Sequence, residues 1–132
     1  MKHKILVVDD NQIVRQGTAI TVQTLGYMTE EAASGREALD RLGACQYALI
    51  FMDYEMPDMD GFECTRTIRE LENGTGARIP IIALTASDEF QIREKCLQAG
   101  MDDYLHKMYT PQQLRQILSK WLSIEQSQPA VI

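Results

Sequence analysis

The order of apolar segments predicts an α/β domain built on a parallel sheet with helices covering both faces. Two observations carry this. Five strand-length runs alternate with five helix-length runs along 132 residues, and such alternation forces right-handed crossover units. The first run, Lys4-Ile-Leu-Val-Val8, is continuously apolar rather than alternating, as expected of a strand buried on both faces. The length suits a single domain over residues 1–123, followed by a flexible C-terminal tail over 124–132.

The elements follow in order. Asp9-Asp10-Asn11 ends the first strand. From Gln12 to Leu25 the spacing is helical, with Val14, Thr18, Thr21, Val22 and Leu25 on one face and Gly26 as the stop. A second stripe, Ile13, Gly17 and Ile20, lies roughly 100° away and reads as the edge of the core face or as an exposed docking surface. Tyr27–Ala33 is a weaker strand carrying Glu30 and Glu31, placed at a sheet edge. Ser34 and Glu37 form a capping-box pattern for a helix over Gly35–Leu42, and Tyr47–Met52 is the third strand.

Asp60 caps a helix from Gly61 to about Leu71, followed by a flexible connection, Glu72-Asn-Gly-Thr-Gly-Ala77. Ile79–Leu84 is the fourth strand, with Pro80 tolerable only at its start. After Thr85-Ala86-Ser87 comes a helix over Asp88–Gln98 closed by Gly100, then a short strand over Met101–His106. Thr110-Pro111 opens the last helix, which turns Leu114, Ile117, Leu118, Trp121 and Leu122 inward. Tyr109 and Trp121 read as packing residues, and His3 and His106 as incidental.

Composition removes several function classes. The three cysteines, Cys45, Cys64 and Cys96, are odd in number and lack metal-ligand spacing, so they read as small buried hydrophobes in a reducing compartment. The amino terminus has too short an apolar run for a signal peptide or a membrane span, which leads to the expectation of a cytoplasmic protein without membrane insertion. A net charge of −6 with scattered basic residues argues against direct nucleic-acid binding.

A lone Asp53 after a strand usually forms a turn or a helix cap. Its company changes that reading. Asp9 and Asp10 end the first strand, Asp53 the third, Thr85 the fourth and Lys107 the fifth, and a parallel sheet gathers all these ends along one edge. Three clustered carboxylates repel one another unless a hard cation holds them, and an oxygen-only ligand set suits Mg²⁺. Asp53 can then attack phosphorus in line, with Lys107 and Thr85 meeting the phosphoryl oxygens, to give an aspartyl phosphate.

Four pieces make a resemblance specific: Ile5-Leu-Val-Val-Asp-Asp-Asn11, Met52-Asp-Tyr-Glu-Met-Pro-Asp-Met-Asp-Gly61, Pro80-Ile-Ile-Ala-Leu-Thr-Ala86 and Ala99-Gly-Met-Asp-Asp-Tyr-Leu-His-Lys107. Over about residues 3 to 122 the chain resembles the receiver domain of two-component response regulators. The resemblance implies a flavodoxin-like fold with strand order 2-1-3-4-5 and Asp53 as phosphoacceptor. It implies Mg²⁺ held by Asp9, Asp10, Asp53 and the backbone carbonyl of Glu55. Thr85 would be the switch hydroxyl, Tyr104 the switch aromatic and Lys107 the phosphate-binding cation.

Asn11 and the Glu72–Arg78 insertion look most like receivers of hybrid histidine kinases and phosphorelays. The implied donor is a phosphohistidine on a histidine kinase or phosphotransfer protein docking on Ile13, Gly17 and Ile20. The implied output is altered affinity for a downstream effector, through the face of the fourth helix, fifth strand and fifth helix. Self-phosphorylation and autodephosphorylation are then the only chemistry, without a separate catalytic domain. A degenerate receiver serving as a scaffold, or a receiver excised from a larger hybrid kinase, is the alternative.

Met108 departs from the family, which usually has proline after the lysine, often with a cis bond. A non-proline cis bond costs about 3–4 kcal/mol. The expectation is a trans bond with a differently routed loop, or a strained cis bond. Other classes fit less well. A haloacid-dehalogenase-type phosphohydrolase needs Asp where Glu55 stands, an FMN carrier would meet repulsion from Asp9 and Asp10, and no P-loop motif is present.

Overall fold

The computed structural model describes residues 4–86 and 90–126. Strands β1 (Lys4–Val8), β2 (Met28–Ala32), β3 (Leu49–Asp53), β4 (Ile81–Thr85) and β5 (Asp103–His106) alternate with helices α1 (Gln12–Thr24), α2 (Gly35–Ala44), α3 (Gly61–Glu72), α4 (Phe90–Ala99) and α5 (Pro111–Gln126). The sheet is parallel throughout, in the order β2-β1-β3-β4-β5. This is the doubly wound, flavodoxin-like arrangement that the sequence predicts.

Because strand side chains alternate between faces, the same strands feed two cores. Leu6, Val8, Ile50, Met52 and Ala83 pack with Ala38, Cys64, Ile68 and Cys96 under α2, α3 and α4. Ile5, Val7, Leu49, Phe51, Ile82 and Leu84 pack with Ala19, Val22, Leu114 and Leu118 under α1 and α5. Each central strand is therefore apolar through its middle, with polar residues only at its ends, while β2 at the edge keeps its two glutamates half-exposed.

Local signals start and stop the helices. Asn11, Ser34 and Asp60 each accept a hydrogen bond from the backbone N–H three residues on. Thr110 and Gln113 exchange side-chain and backbone bonds at 3.1 and 2.9 Å, a full capping box. Gly26 (φ +102°) and Gly100 (φ +106°) close α1 and α4 in the left-handed region.

Some boundaries differ from expectation. β3 starts at Leu49 and runs into Asp53, and β4 starts at Ile81 and takes in Thr85, so both of these side chains stand on strand ends rather than in loops. β5 starts at Asp103 because Asp102 turns its carboxylate to the Ile81 N–H (2.9 Å) and to Arg69 (2.7 Å). Arg69 also bonds the carbonyls of Ile79 and Gly100, fixing the far end of the connection after α3. The expected tail begins too early: α5 passes the Ser123 boundary and continues through Gln126. Nothing between Leu122 and Pro129 breaks a helix, and propagation adds a hydrogen bond per residue. The rest of that tail, His3, and the expected α4 start at Asp88 lie outside the described residues.

Gly61 opens α3 directly behind the end of β3. A Cβ there would lie 2.4 Å from the Asp53 carbonyl oxygen and 2.7 Å from Tyr54 Cα. Gly61→Ala is therefore expected to cost about 3 kcal/mol, at the upper end of overpacking. Urea denaturation checks it: a lower midpoint at unchanged slope supports the close approach, and an unshifted midpoint refutes it.

Candidate functional site

Parallel register sets the site. Val8 pairs with Met52, so Asp9 and Asp53 emerge side by side from the carboxyl ends of β1 and β3. Both are buried, at 0% and 1% exposure, whereas Asp10 faces solvent. One carboxylate oxygen from each of Asp9, Asp10 and Asp53 lies within 4.8 Å of the others. Lys107 follows β5 and crosses to them, its Nζ 3.1 Å from Asp53 Oδ1 and 3.4 Å from Asp9 Oδ2.

The remaining lone pairs are unequally served. Asp9 Oδ1 accepts from the Asn11 N–H at 2.9 Å, and Asp53 Oδ1 from the Glu55 N–H at 3.2 Å. Asp53 Oδ2 and Asp9 Oδ2 are buried yet accept no hydrogen bond from a described residue. An unsatisfied buried acceptor costs about 1–3 kcal/mol. A hard divalent cation with oxygen ligands fits this donor set, because it would satisfy those oxygens and relieve the repulsion among the carboxylates.

Electrostatics agree with the geometry. Burial, then the charge of Asp9, pushes the Asp53 carboxyl up to about 7, against the opposing pull of Lys107 and the Glu55 amide. For Lys107, burial pulls the ammonium down but is outweighed by Asp53 and Asp9, which hold it above its ordinary range.

Thr85 ends β4 at 2% exposure, and its carbonyl accepts the Lys107 N–H at 2.7 Å. Asp9, Asp10, Asp53, Thr85 and Lys107 thus share one edge of the sheet, as the strand ends predict. Tyr104 does not join them. It is half-buried on the α4 side of β5, with the Arg93 guanidinium 4.5 Å from its ring centroid. Glu55 is exposed and meets the site through its backbone. On α1, Ile13 is 83% exposed and Ile20 60%, and Gly17 lies open between them, so this stripe is surface rather than core edge.

The Lys107–Met108 peptide is trans, the first of the two expected alternatives, and Lys107 still reaches both carboxylates. His106 is not incidental, because its Nδ1 accepts the Met108 N–H at 3.0 Å. Sequence reasoning also missed Arg15, which donates to the Asp9 carbonyl at 2.9 Å while pairing with Glu31. It missed the hydroxyl bond between Thr18 and Tyr109 (2.7 Å) as well. Neither carries a motif; each pairing exists only once α1 lies against the sheet. No described helix is long and apolar enough to cross a membrane.

The profile of the response regulator receiver domain matches residues 5–119. The hybrid signal transduction protein dokA of Dictyostelium discoideum is 39% identical over 126 residues, covering 96% of this chain and 7% of its own length. The chain thus spans a small part of this relative. Among solved structures, the receiver domain of sensor histidine kinase PA1611 from Pseudomonas aeruginosa, with magnesium coordinated in its active site cleft, is 40% identical with a TM-score of 0.83, covering 93% of this chain and 99% of that one. The receiver domain of Ssk1 from Saccharomyces cerevisiae, crystallised with the phosphotransfer protein Ypd1, is 29% identical with a TM-score of 0.87, covering 94% and 91%. Fold, cleft and likeness converge, and the chain belongs to the receiver domain family of two-component response regulators.

Proposed function

We propose that the chain is a signalling switch that accepts a phosphoryl group on Asp53 from a phosphohistidine of a histidine kinase or phosphotransfer protein. The observation that carries this is Asp53 Oδ2: buried and without a hydrogen bond, on a carboxylate that lies beside Asp9 and Asp10 and against the half-buried Lys107 ammonium. In the transfer, Asp53 oxygen bonds to phosphorus as the histidine nitrogen–phosphorus bond breaks, and the imidazole leaves with the electron pair and takes up a proton. The same chemistry serves a separate protein or one domain of a longer hybrid kinase.

Asp9, Asp10 and Asp53, with the Glu55 backbone carbonyl, are the residues that would hold Mg²⁺. Mg²⁺ bound there supplies charge neutralisation for the phosphoryl oxygens. Lys107 places a point charge on one of those oxygens, and Thr85 turns its hydroxyl toward another. Thr85 then draws its loop inward, Tyr104 swings into the space vacated, and the face of α4, β5 and α5 shifts between two states of differing effector affinity. The donor protein docks on the exposed Ile13, Gly17 and Ile20 stripe beside the cleft. The protein acts in the cytoplasm and is not an enzyme beyond its own phosphorylation and autodephosphorylation. The exposed Glu55 side chain beside the acceptor bears on how long the phosphate survives.

Incubation with Mg²⁺ and acetyl phosphate is expected to add one phosphoryl group to the wild type and none to Asp53→Asn, read by intact mass. No gain in the wild type, or an equal gain in the variant, removes the proposal. Thr85→Ala is expected to leave that mass gain largely intact while weakening phosphorylation-dependent effector binding; undiminished binding refutes the coupling.

The raised carboxyl of Asp53 sets a pH dependence. Its folded value, about 7, lies above the unfolded one, so between them the folded state binds the extra proton. The resulting stabilisation is full below about pH 4 and is lost as pH rises through about 7. Without divalent cation, the wild type is expected to lose on the order of 1 kcal/mol between about pH 6 and about pH 8, and Asp53→Asn to lose much less. At the higher pH, Mg²⁺ is expected to raise the wild-type melting temperature, and the rise fades on acidification as the proton competes. A Mg²⁺ response equal at both pH values contradicts this.

A further inference from the structure

The chain leaves its family pattern immediately after Lys107, where Met108 replaces the usual proline. Proline fixes its own φ and has no N–H to donate, whereas methionine leaves that rotation free and adds a donor. Met108 itself is 84% exposed and anchors nothing by packing. Other contacts must hold the loop that delivers Lys107 to the cleft.

Three hydrogen bonds do so. The Lys107 N–H donates to the Thr85 carbonyl at 2.7 Å. The Met108 N–H, the donor a proline would lack, goes to Nδ1 of His106 at 3.0 Å. The Tyr109 hydroxyl pairs with the Thr18 hydroxyl at 2.7 Å. The first two bonds stay within the β4 and β5 ends. The third reaches from the loop to α1, in the helical layer that covers one face of the sheet. Thr18 is 1% exposed, so without Tyr109 its hydroxyl would lose this bond in a buried setting. The Tyr109 ring packs against the core beneath α1 and α5, as a phenylalanine could; the hydroxyl adds a fixed direction.

We propose that Tyr109 is a positioning residue for phosphoryl transfer, its hydroxyl bonded to Thr18 so that the loop without proline holds the Lys107 ammonium on Asp53 and Asp9. The inference rests on Lys107 being the cation that meets the phosphoryl group. Tyr109 touches no reacting atom and acts through the lysine two residues before it. Thr18 lies on the same helix as the Ile13, Gly17 and Ile20 stripe, so the bond also links the proposed docking helix to the loop carrying the lysine.

The test is the initial rate of Asp53 phosphorylation by acetyl phosphate with saturating Mg²⁺, read by intact mass, with thermal melts confirming that each variant folds. Tyr109→Phe and Thr18→Val are each expected to slow the reaction about fivefold, the net worth of one hydrogen bond, and the double variant no further than either alone. Thr18→Ser, which keeps the hydroxyl, is expected to stay near the wild-type rate. In a Lys107→Ala background Tyr109→Phe is expected to cost nothing more, a result that a general structural role would not give. Because the two hydroxyl deletions approach the bond from opposite sides, a folding defect in one leaves the other as the measure. Wild-type rates in the folded hydroxyl deletions, or an equal fivefold loss in the Lys107→Ala background, overturn the inference and leave the reading of Lys107 standing. Lys107→Ala at the wild-type rate overturns both.

Discussion

Two carboxylates, Asp9 and Asp53, are held out of water beside one ammonium, and much of the molecule serves that arrangement. Buried like charges repel strongly in a medium less polarisable than water, so the pair persists only because Lys107 lies against both. The compensation is incomplete. Oxygen atoms remain without hydrogen-bond donors, and the Asp53 carboxyl is raised far from its ordinary range, mainly by burial. A site in this condition is ready to take up positive charge or an electrophile, which is what a metal-assisted phosphoryl acceptor requires.

The sheet makes such a site affordable in stability. Three strands, β1, β3 and β4, carry most of the large buried side chains, packed on both faces, so the strand ends are held as rigid points. Asp53 and Thr85 belong to the strands themselves, and Gly61 brings the start of α3 into contact with the backbone of Asp53 and Tyr54. Lys107 differs, since it stands on a loop after the shortest strand and at the sheet edge. That is where further hydrogen bonds, from Thr85, His106 and Thr18 with Tyr109, converge.

Both helical layers are tied to the sheet by side-chain hydrogen bonds. The layer of α2, α3 and α4 is tied at the amino edge of the sheet by Arg69, Glu72 and Asp102, far from the cleft. From the other layer, α1 touches the site, Arg15 on the carbonyl of Asp9 and Thr18 on the loop after Lys107, while the start of α3 meets it at the backbone of Asp53. Tyr104, on the α4 side under the Arg93 guanidinium, stands apart from the acidic cleft. Among the described hydrogen bonds, none links a carboxylate of the cluster to Tyr104.

The sequence by itself determined the α/β class, the strand and helix order, the caps at Ser34, Asp60 and Thr110, and the gathering of Asp9, Asp10, Asp53, Thr85 and Lys107 on one edge. These follow from local periodicity and from the single crossover hand of parallel sheets, so short windows suffice to read them. Strand ends at β3, β4 and β5 were read less well, because pairing and the side chain of Asp102, not propensity, decide where they begin. The course of α5 past Ser123 was missed because absence of a breaker is a weak signal. Only the tertiary structure decided that Asp10 is exposed while Asp9 is buried, that Ile13 and Ile20 face solvent, and that Thr18 meets Tyr109. Those facts depend on which surfaces come together across distant parts of the chain, and no periodicity within a helix or strand encodes its partner.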